Sequence, residues 1–208
     1  MPVYTIKQGD HLSAIAKKFG FRNYKTIWDD PGNADLQNLR LNPNVLLPGD
    51  QLVIPGLTSK TESAGTGDTH KFVVPVPKLE LRILTHDIND DPVASESCTL
   101  QVESEIFQLQ TDGDGLLQQK IAADAVNGLL QVVQMDIPLK IGFLDPSGTP
   151  SGSRARLTNL GYYWGPQDES DTLALKSAIE EFQCDHTLPV TGNLDKQTQT
   201  RLLKEHGC

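Results

Sequence analysis

Basic residues are scarce in this chain. Its 208 residues hold 18 Lys and Arg against 27 Asp and Glu, a formal net charge of -9. No Lys/Arg cluster interrupts that balance, which excludes the basic face a nucleic-acid binder presents and makes acidic lipid headgroups poor partners. Long apolar runs are absent too. No segment approaches the roughly 18 consecutive apolar residues that span a bilayer, so no membrane insertion is expected. Cysteine is limited to Cys98, Cys184 and Cys208. An odd number at wide spacing, without a CxxC pair, argues against a disulfide framework and against structural zinc. The three read as two buried or half-buried thiols and one at the terminus, in a chain made in a reducing cytoplasm. Neither a charged n-region nor an apolar h-region follows Pro2, so the expectation is synthesis without a signal peptide.

Catalytic patterns are equally sparse. Glycan hydrolysis by acid–base chemistry needs two carboxylates placed across a bond. Glu103 and Glu105 alternate as on one strand, which reads as a solvated face. His11, His70, His86, His186 and His206 form no HxxxH or HxH pair. Cys184 and His186 stand two apart, but a Cys–His nucleophile needs an oxyanion donor as well. Cys184 follows the apolar stripe ending at Phe182 and reads as structural. There is no Gly-x-Ser-x-Gly and no phosphate loop. His86 and Asp87 alone do not define a metal site. Asp112 and Asp114 invite a calcium loop, but position 123 is Ala where an EF-hand needs Glu. The Asp-Gly pairs read as turn chemistry. No enzyme, no metal and no cofactor is expected.

What is there is punctuated folding signal, and 38% hydrophobic residues to support it. Tyr4–Lys7 reads as a strand, with Gln51–Ile54 as its antiparallel partner. Asp10 stands where it can cap a helix whose apolar stripe is Leu12, Ile15, Ala16 and Phe19. Gly20 sits at its C-terminal cap position. Tyr24, Ile27 and Trp28 share a helical face, with Trp28 read as core. Asp30-Pro31 breaks that face, and Asn33 can cap a helix carrying Leu36 and Leu39. Residues 57–70 are rich in Gly, Ser, Thr and charge, a flexible linker. From Lys71 the pattern is β, with Phe72–Val74, then Leu79–Ile83, Cys98–Val102, Phe107–Leu109, Leu117–Ile121 and Leu129–Met135 among about seven short strands. These suit a small antiparallel sandwich. Asp145–Ser153 reads as a second joint. Beyond it, Leu157 and Leu160 with Gly161, the stripe Leu175, Ala178, Ile179 and Phe182, and a last segment from Thr198 to Leu203 predict three short helices.

Two stretches resemble known families. Tyr4-Thr5-Ile6-Lys7-x-Gly9-Asp10-x-Leu12, closed by Leu47-Pro48-Gly49-Asp50-Gln51-Leu52-Val53-Ile54-Pro55, resembles a LysM module, with His11 in place of the usual Thr. Arg156-Leu157-Thr158-Asn159-Leu160-Gly161-Tyr162, Ala178-Ile179-Glu180-Glu181-Phe182-Gln183 and Leu188-Pro189-Val190-Thr191-Gly192-Asn193-Leu194-Asp195 resemble the peptidoglycan-binding domain 1 family. The second copy departs at Gly165–Asp171, where the family usually has a Gly-Asp-Gly loop. The module order resembles LysM proteins associated with type VI secretion and other contractile injection systems of bacteria.

These resemblances imply a multi-domain α+β protein: a βααβ LysM domain (1–56), a linker (57–70), an antiparallel β-sandwich (71–144), a joint (145–153) and a three-helix module (154–208). They imply binding of peptidoglycan or a related N-acetylglucosamine polymer, with delivery to the periplasm or cell wall by a secretion machine. The LysM groove would comprise Gly9, Asp10, His11 and Leu12 with Asn42, Pro43, Asn44, Val45, Leu46 and Leu47, and Leu12 or Leu46 would pack on sugar faces. Two other readings stay open: an adaptor that contacts a secretion spike or effector without glycan, and a targeting subunit of a separate wall hydrolase.

Overall fold

A computed structural model describes residues 2–58, 61–73, 76–168 and 170–207. It is an α+β structure, and packing divides it into two compact units. The first comprises Met1–Leu39 and Pro48–Gly142; the second comprises Arg40–Leu47 and Phe143–Cys208. Among the described residues no helix is long and apolar enough to cross a membrane.

The first unit opens with β1 (Val3–Thr5), which pairs antiparallel with β2 (Gln51–Val53) in the register Tyr4 to Leu52. Between them lie α1 (Leu12–Lys18), α2 (Lys25–Trp28), a short 3-10 turn (Pro31–Asn33) and α3 (Ala34–Leu39). The expected stripe of α1 is inward at Leu12, Ile15 and Ala16. Its end follows the Gly20 signal: Gly20 is left-handed, its N–H reaches Lys17 O, and Phe21 N–H reaches Ala16 O. That pair of bonds is a Schellman stop. Two polar expectations are corrected. Asp10 does not cap α1, because His11 holds the N-cap position without a side-chain bond. Asp10 Oδ2 instead accepts from Tyr4 Oη and Lys7 N, both at 2.8 Å, and so closes the turn before the helix. Asn33 is not an exposed cap but is buried. Its amide donates to Ile27 O and Val53 O and accepts from Val53 N, at 2.7 to 2.8 Å. It thereby pairs with the outer edge of β2 as a strand would, satisfying groups that burial leaves without water.

The rest of the first unit is β: β3 (Lys78–Leu84), β4 (Ser97–Val102), β5 (Glu105–Gln110), β6 (Leu116–Ala122), β7 (Asn127–Val132) and β8 (Met135–Lys140). Strands β3 and β6 form one sheet, and β5-β4-β7-β8 form another. Both turn their alternate residues into one core around Leu100, Leu117, Ile121 and Leu130. Phe72 and Val73 lie outside any strand, and Val74 lies outside the described residues. Glu103 and Glu105 do not share a strand. Glu103 sits in the β4–β5 turn with φ 51°, where its carboxylate accepts from Val126 N and Asn127 N, both at 2.9 Å. The bonds from Asn127 and Val126 hold its carboxyl below the usual range.

The four-stranded sheet contains a repeat. Leu100-Gln101-Val102 corresponds to Leu130-Gln131-Val132, and Leu109 to Leu139, with alternation of burial that is the same along 101–110 and 131–140. The two hairpins meet with Leu100 opposite Leu130, and Cys98 opposite Val132 is mirrored by Val102 opposite Gly128. That register places a local two-fold axis at the Leu100–Leu130 pair. Each hairpin turns its alternate apolar residues to the core and its polar residues outward, the period-two logic of a half-buried sheet.

The second unit holds α4 (Pro150–Asn159), α5 (Thr172–Asp185) and α6 (Lys196–His206). Pro150–Ser153, expected in a joint, form the first turn of α4. Thr149 is its N-cap and accepts from Gly152 N, with Pro150 at the first helical position. A Cβ on Gly152 would lie 2.2 Å from Pro146 O. The core gathers Leu157, Tyr163, Ile179, Phe182 and Leu202. Gln183 is 0% exposed among them. Its amide donates to Thr191 Oγ1, Asn193 O and Thr198 Oγ1, and its Oε1 accepts from Thr191 N and Gly192 N. Gln183→Ala strands several of these groups and is expected to destabilise the unit by about 3 kcal/mol in a denaturant titration. Gln183→Glu conserves shape but removes the donors, so it should also lower the midpoint.

Candidate functional site

The expected binding residues fall into two stretches that the structure treats differently. Gly9 and Asp10 are half-buried, and Gly9 adopts a left-handed φ of 85°. His11 is 2% exposed and Leu12 is 0% exposed. Leu12 is thus a core residue of the first unit and offers no face to a sugar, contrary to the expected packing. Leu46, in the second unit, is 4% exposed and likewise offers no face to a sugar. Asn42, Pro43, Asn44, Val45 and Leu47 are half-buried, in the stretch that packs with the second unit. Asn42 shapes this stretch: Oδ1 accepts from Asn44 N at 2.9 Å and its carbonyl accepts from Val45 N at 3.0 Å. A side-chain acceptor two residues ahead of the donor is the Asx-turn device.

Burial of the Gly9–His11 loop comes from the β segment of the same unit. A Cβ on Gly142 would lie 2.7 Å from both Gly9 O and a His11 ring carbon. The backbone two residues beyond β8 therefore lies directly against the first LysM-type motif. Lys17, in the last turn of α1, meets Asp124 beyond β6 at 2.6 Å. The hydrogen bond from Lys17 holds the Asp124 carboxyl below the usual carboxylate range, and the neighbouring positive charges add to it. Both partners are well exposed, so this pair contributes register more than stability.

In the second unit the segment after α4 presents a feature not recognised from sequence. Tyr163 is buried and its hydroxyl donates to Pro166 O at 2.7 Å. Gly165 folds back over that ring, with room for no Cβ, since one would lie 2.6 Å from Tyr163 Oη. Trp164, between them, is 89% exposed. A turn braced on both sides thus holds a tryptophan in solvent. Tyr-Trp-Gly-Pro is the sequence signal, a large aromatic flanked by turn formers. Trp28, read as core, is half-buried. Further along, Arg154 donates to Gln167 O, and Asp168 is held below its usual pKa by bonds from the Ser170 side chain and backbone. Glu169 lies outside the described residues.

The remaining candidates resolve into structural roles. Asp112 accepts from Asp114 N and Leu116 N, closing the turn expected there. Asp87 accepts from Asn89 N and Asp91 N, while His86 Nδ1 meets Asp90 at 2.8 Å. Among the described residues no three His, Cys, Asp or Glu side chains gather as metal ligands would. Cys98 is buried, as expected, but Cys184 is exposed, since it falls on the outer side of α5 from Phe182 and Gln183. Cys208 lies outside the described residues.

Residues 4–29 match the LysM domain family, and residues 153–202 match the family described as "Putative peptidoglycan binding domain". The chain carries a LysM domain at its N-terminal end and a peptidoglycan-binding domain of this family in its C-terminal region. It is also similar to the Localization factor PodJL of Caulobacter vibrioides, in two strains, with 48% identity over 46 residues. That segment is 22% of this chain and 5% of the relative, so the chain spans only a small part of its length. No solved structure matches.

The Lys17–Asp124 pair gives a direct check on the packing within the first unit. A lowered carboxyl pKa means its contribution is present above about pH 4 and is lost as pH falls through the folded value. NMR titration should place Asp124 below an ordinary aspartate, and Lys17→Met should move it back up toward that value.

Proposed function

We propose that this chain is a non-catalytic peptidoglycan-binding protein that holds wall polymer through its two terminal modules. The observation that supports this most is the presence of a LysM domain and a peptidoglycan-binding domain on one chain. Both families are binding modules. Recognition by shallow surfaces is weak for each module alone. Two modules on one chain raise the second event to an intramolecular one, which adds avidity without new contacts. The net charge of -9 opposes anionic wall polymers, so hydrogen bonding and apolar stacking, not charge attraction, must supply the affinity.

Within this reading, Gly9 and Asp10 in the first unit, and Asn42–Val45 and Leu47 in the second, are each candidate contacts through backbone and amide groups. His11, Leu12 and Leu46 are buried and hold their own stretches from within. In the second module we assign the sugar-stacking role to Trp164, whose ring is exposed on a rigid turn; an aromatic presented this way gives large contact area at small entropic loss. An accessory role in a secretion or phage-tail-like machine, with a spike or effector as partner and delivery to the periplasm, is supported by module order alone. The likeness to a localization factor favours a role in which wall binding fixes position.

Sedimentation with purified insoluble peptidoglycan tests the proposal. The intact chain should partition into the pellet, and Trp164→Ala should reduce that fraction several-fold while Trp164→Phe retains most of it. Binding contributed by one stacked aromatic is on the order of 1 kcal/mol, about fivefold. A chain that stays in the supernatant at high protein concentration contradicts wall binding.

A further inference from the structure

The outer face of the four-stranded sheet has an unusual make-up for a solvated surface. One row of directly paired residues crosses all four strands: Gln108 on β5, Thr99 on β4, Gln131 on β7 and Asp136 on β8. Exposed sheet faces are ordinarily rich in Lys and Glu, which keep them soluble and unpaired. Here charge among the outward strand residues is confined to Asp136 and Lys140, both on β8, in a chain that is 22% charged. Lys140 is engaged by Asn127 at 2.9 Å.

The row is hydrogen-bonded internally in a directed way. Thr99 Oγ1 donates to Gln108 Oε1 at 3.0 Å, and Gln131 Nε2 donates to Asp136 Oδ1 at 2.9 Å. Each bond fixes one end of an exposed glutamine and turns its other end outward. Gln108 then offers its amide NH₂ as donor, and Gln131 offers its carbonyl as acceptor. Over this row lies a shallow depression of about 350 Å³, the lower end of the range for small-ligand sites. Its rim is the β7–β8 turn, where Val133 and Gln134 adopt positive φ and the Val133 side chain is exposed. The depression thus combines fixed donors and acceptors with one exposed valine at its end.

We propose that this face is a further binding site, distinct from both terminal modules, for a neutral N-acetylated oligosaccharide. A pyranose presents hydroxyls that both donate and accept on its rim and C–H groups on its face, which the row of amides and the exposed Val133 complement. A site almost without charge is also the arrangement that lets a chain of net charge -9 bind sugar with no electrostatic demand. An extended peptide would use the free main-chain groups of a sheet edge, whereas the depression lies over side chains; β8 also carries Pro138, which removes a donor from that edge. The site shares its ligand class with the function proposed above but not its residues.

The probe is the β-1,4-linked tetramer of N-acetylglucosamine, added to the isotopically labelled full chain and followed by NMR. The expected result is progressive shifts of the Thr99, Gln108, Gln131 and Met135 amides, with a dissociation constant on the order of 1 mM. Gln108→Ala with Gln131→Ala, both exposed positions, should weaken those shifts at least tenfold in concentration while the spectrum elsewhere stays that of the folded chain. No shift on this face at about 10 mM tetramer overturns the site, as do shifts that persist unchanged in the double variant. Shifts with a wall stem peptide but not with the tetramer overturn it in favour of peptide binding. Sedimentation with peptidoglycan but no shifts here leaves wall binding standing without this site. Shifts here without sedimentation do the reverse.

Discussion

One buried amide, Gln183, organises the second unit. The segment Leu188–Asp195 has no regular structure of its own and must cross the end of a helical core. Its backbone N–H and C=O groups would be stranded there, because a buried polar group without a partner loses more than an ordinary hydrogen bond contributes. Gln183 accepts from two of those N–H groups and donates to one carbonyl and two hydroxyls. Asp195 then caps α6 through Thr198 N, so the turn ends on a helix start already in place. Removing the glutamine would leave the turn and the helix with no common reference.

The first unit uses the same solution with a shorter side chain. Asn33 joins α2 to β2 by taking the place of a third strand along Val53. Two small modules of different fold therefore each depend on one amide that imitates the backbone. Neither has a large core, and small domains bury too little apolar surface to tolerate unsatisfied groups.

Much of this architecture was legible from residue patterns. The α1 stripe, the Gly20 and Gly161 stops, the β1–β2 pairing and the stripe of α5 follow from apolar period and left-handed glycine. What escaped has identifiable causes. Asn33 and Gln183 look like surface residues, since nothing local reveals a backbone group waiting for them. Pro150–Ser153 carry poor helix formers and read as a joint, although Thr149-Pro150 is a cap followed by a first-turn proline. The hairpin repeat is hidden because only the inward positions and Gln101/Gln131 persist, while turn and edge residues differ. At the sites, Leu12 and Leu46 were assigned to sugar because motif membership does not separate residues that hold a groove from those that line it. Trp164 was passed over because exposure is a property of the turn around it. The domain families point to peptidoglycan in general, and the structure separates the buried residues of each motif from the exposed ones.

The central claim is that wall polymer is engaged at both ends of the chain. Hydrogen exchange of the intact protein, with and without a saturating excess of solubilised peptidoglycan, tests it most directly. The account predicts slower exchange in the Gly9–Asp10 and Asn42–Leu47 stretches and around Trp164, in the same sample. Exchange that is unchanged at both terminal modules, in a chain shown to be folded, would contradict it.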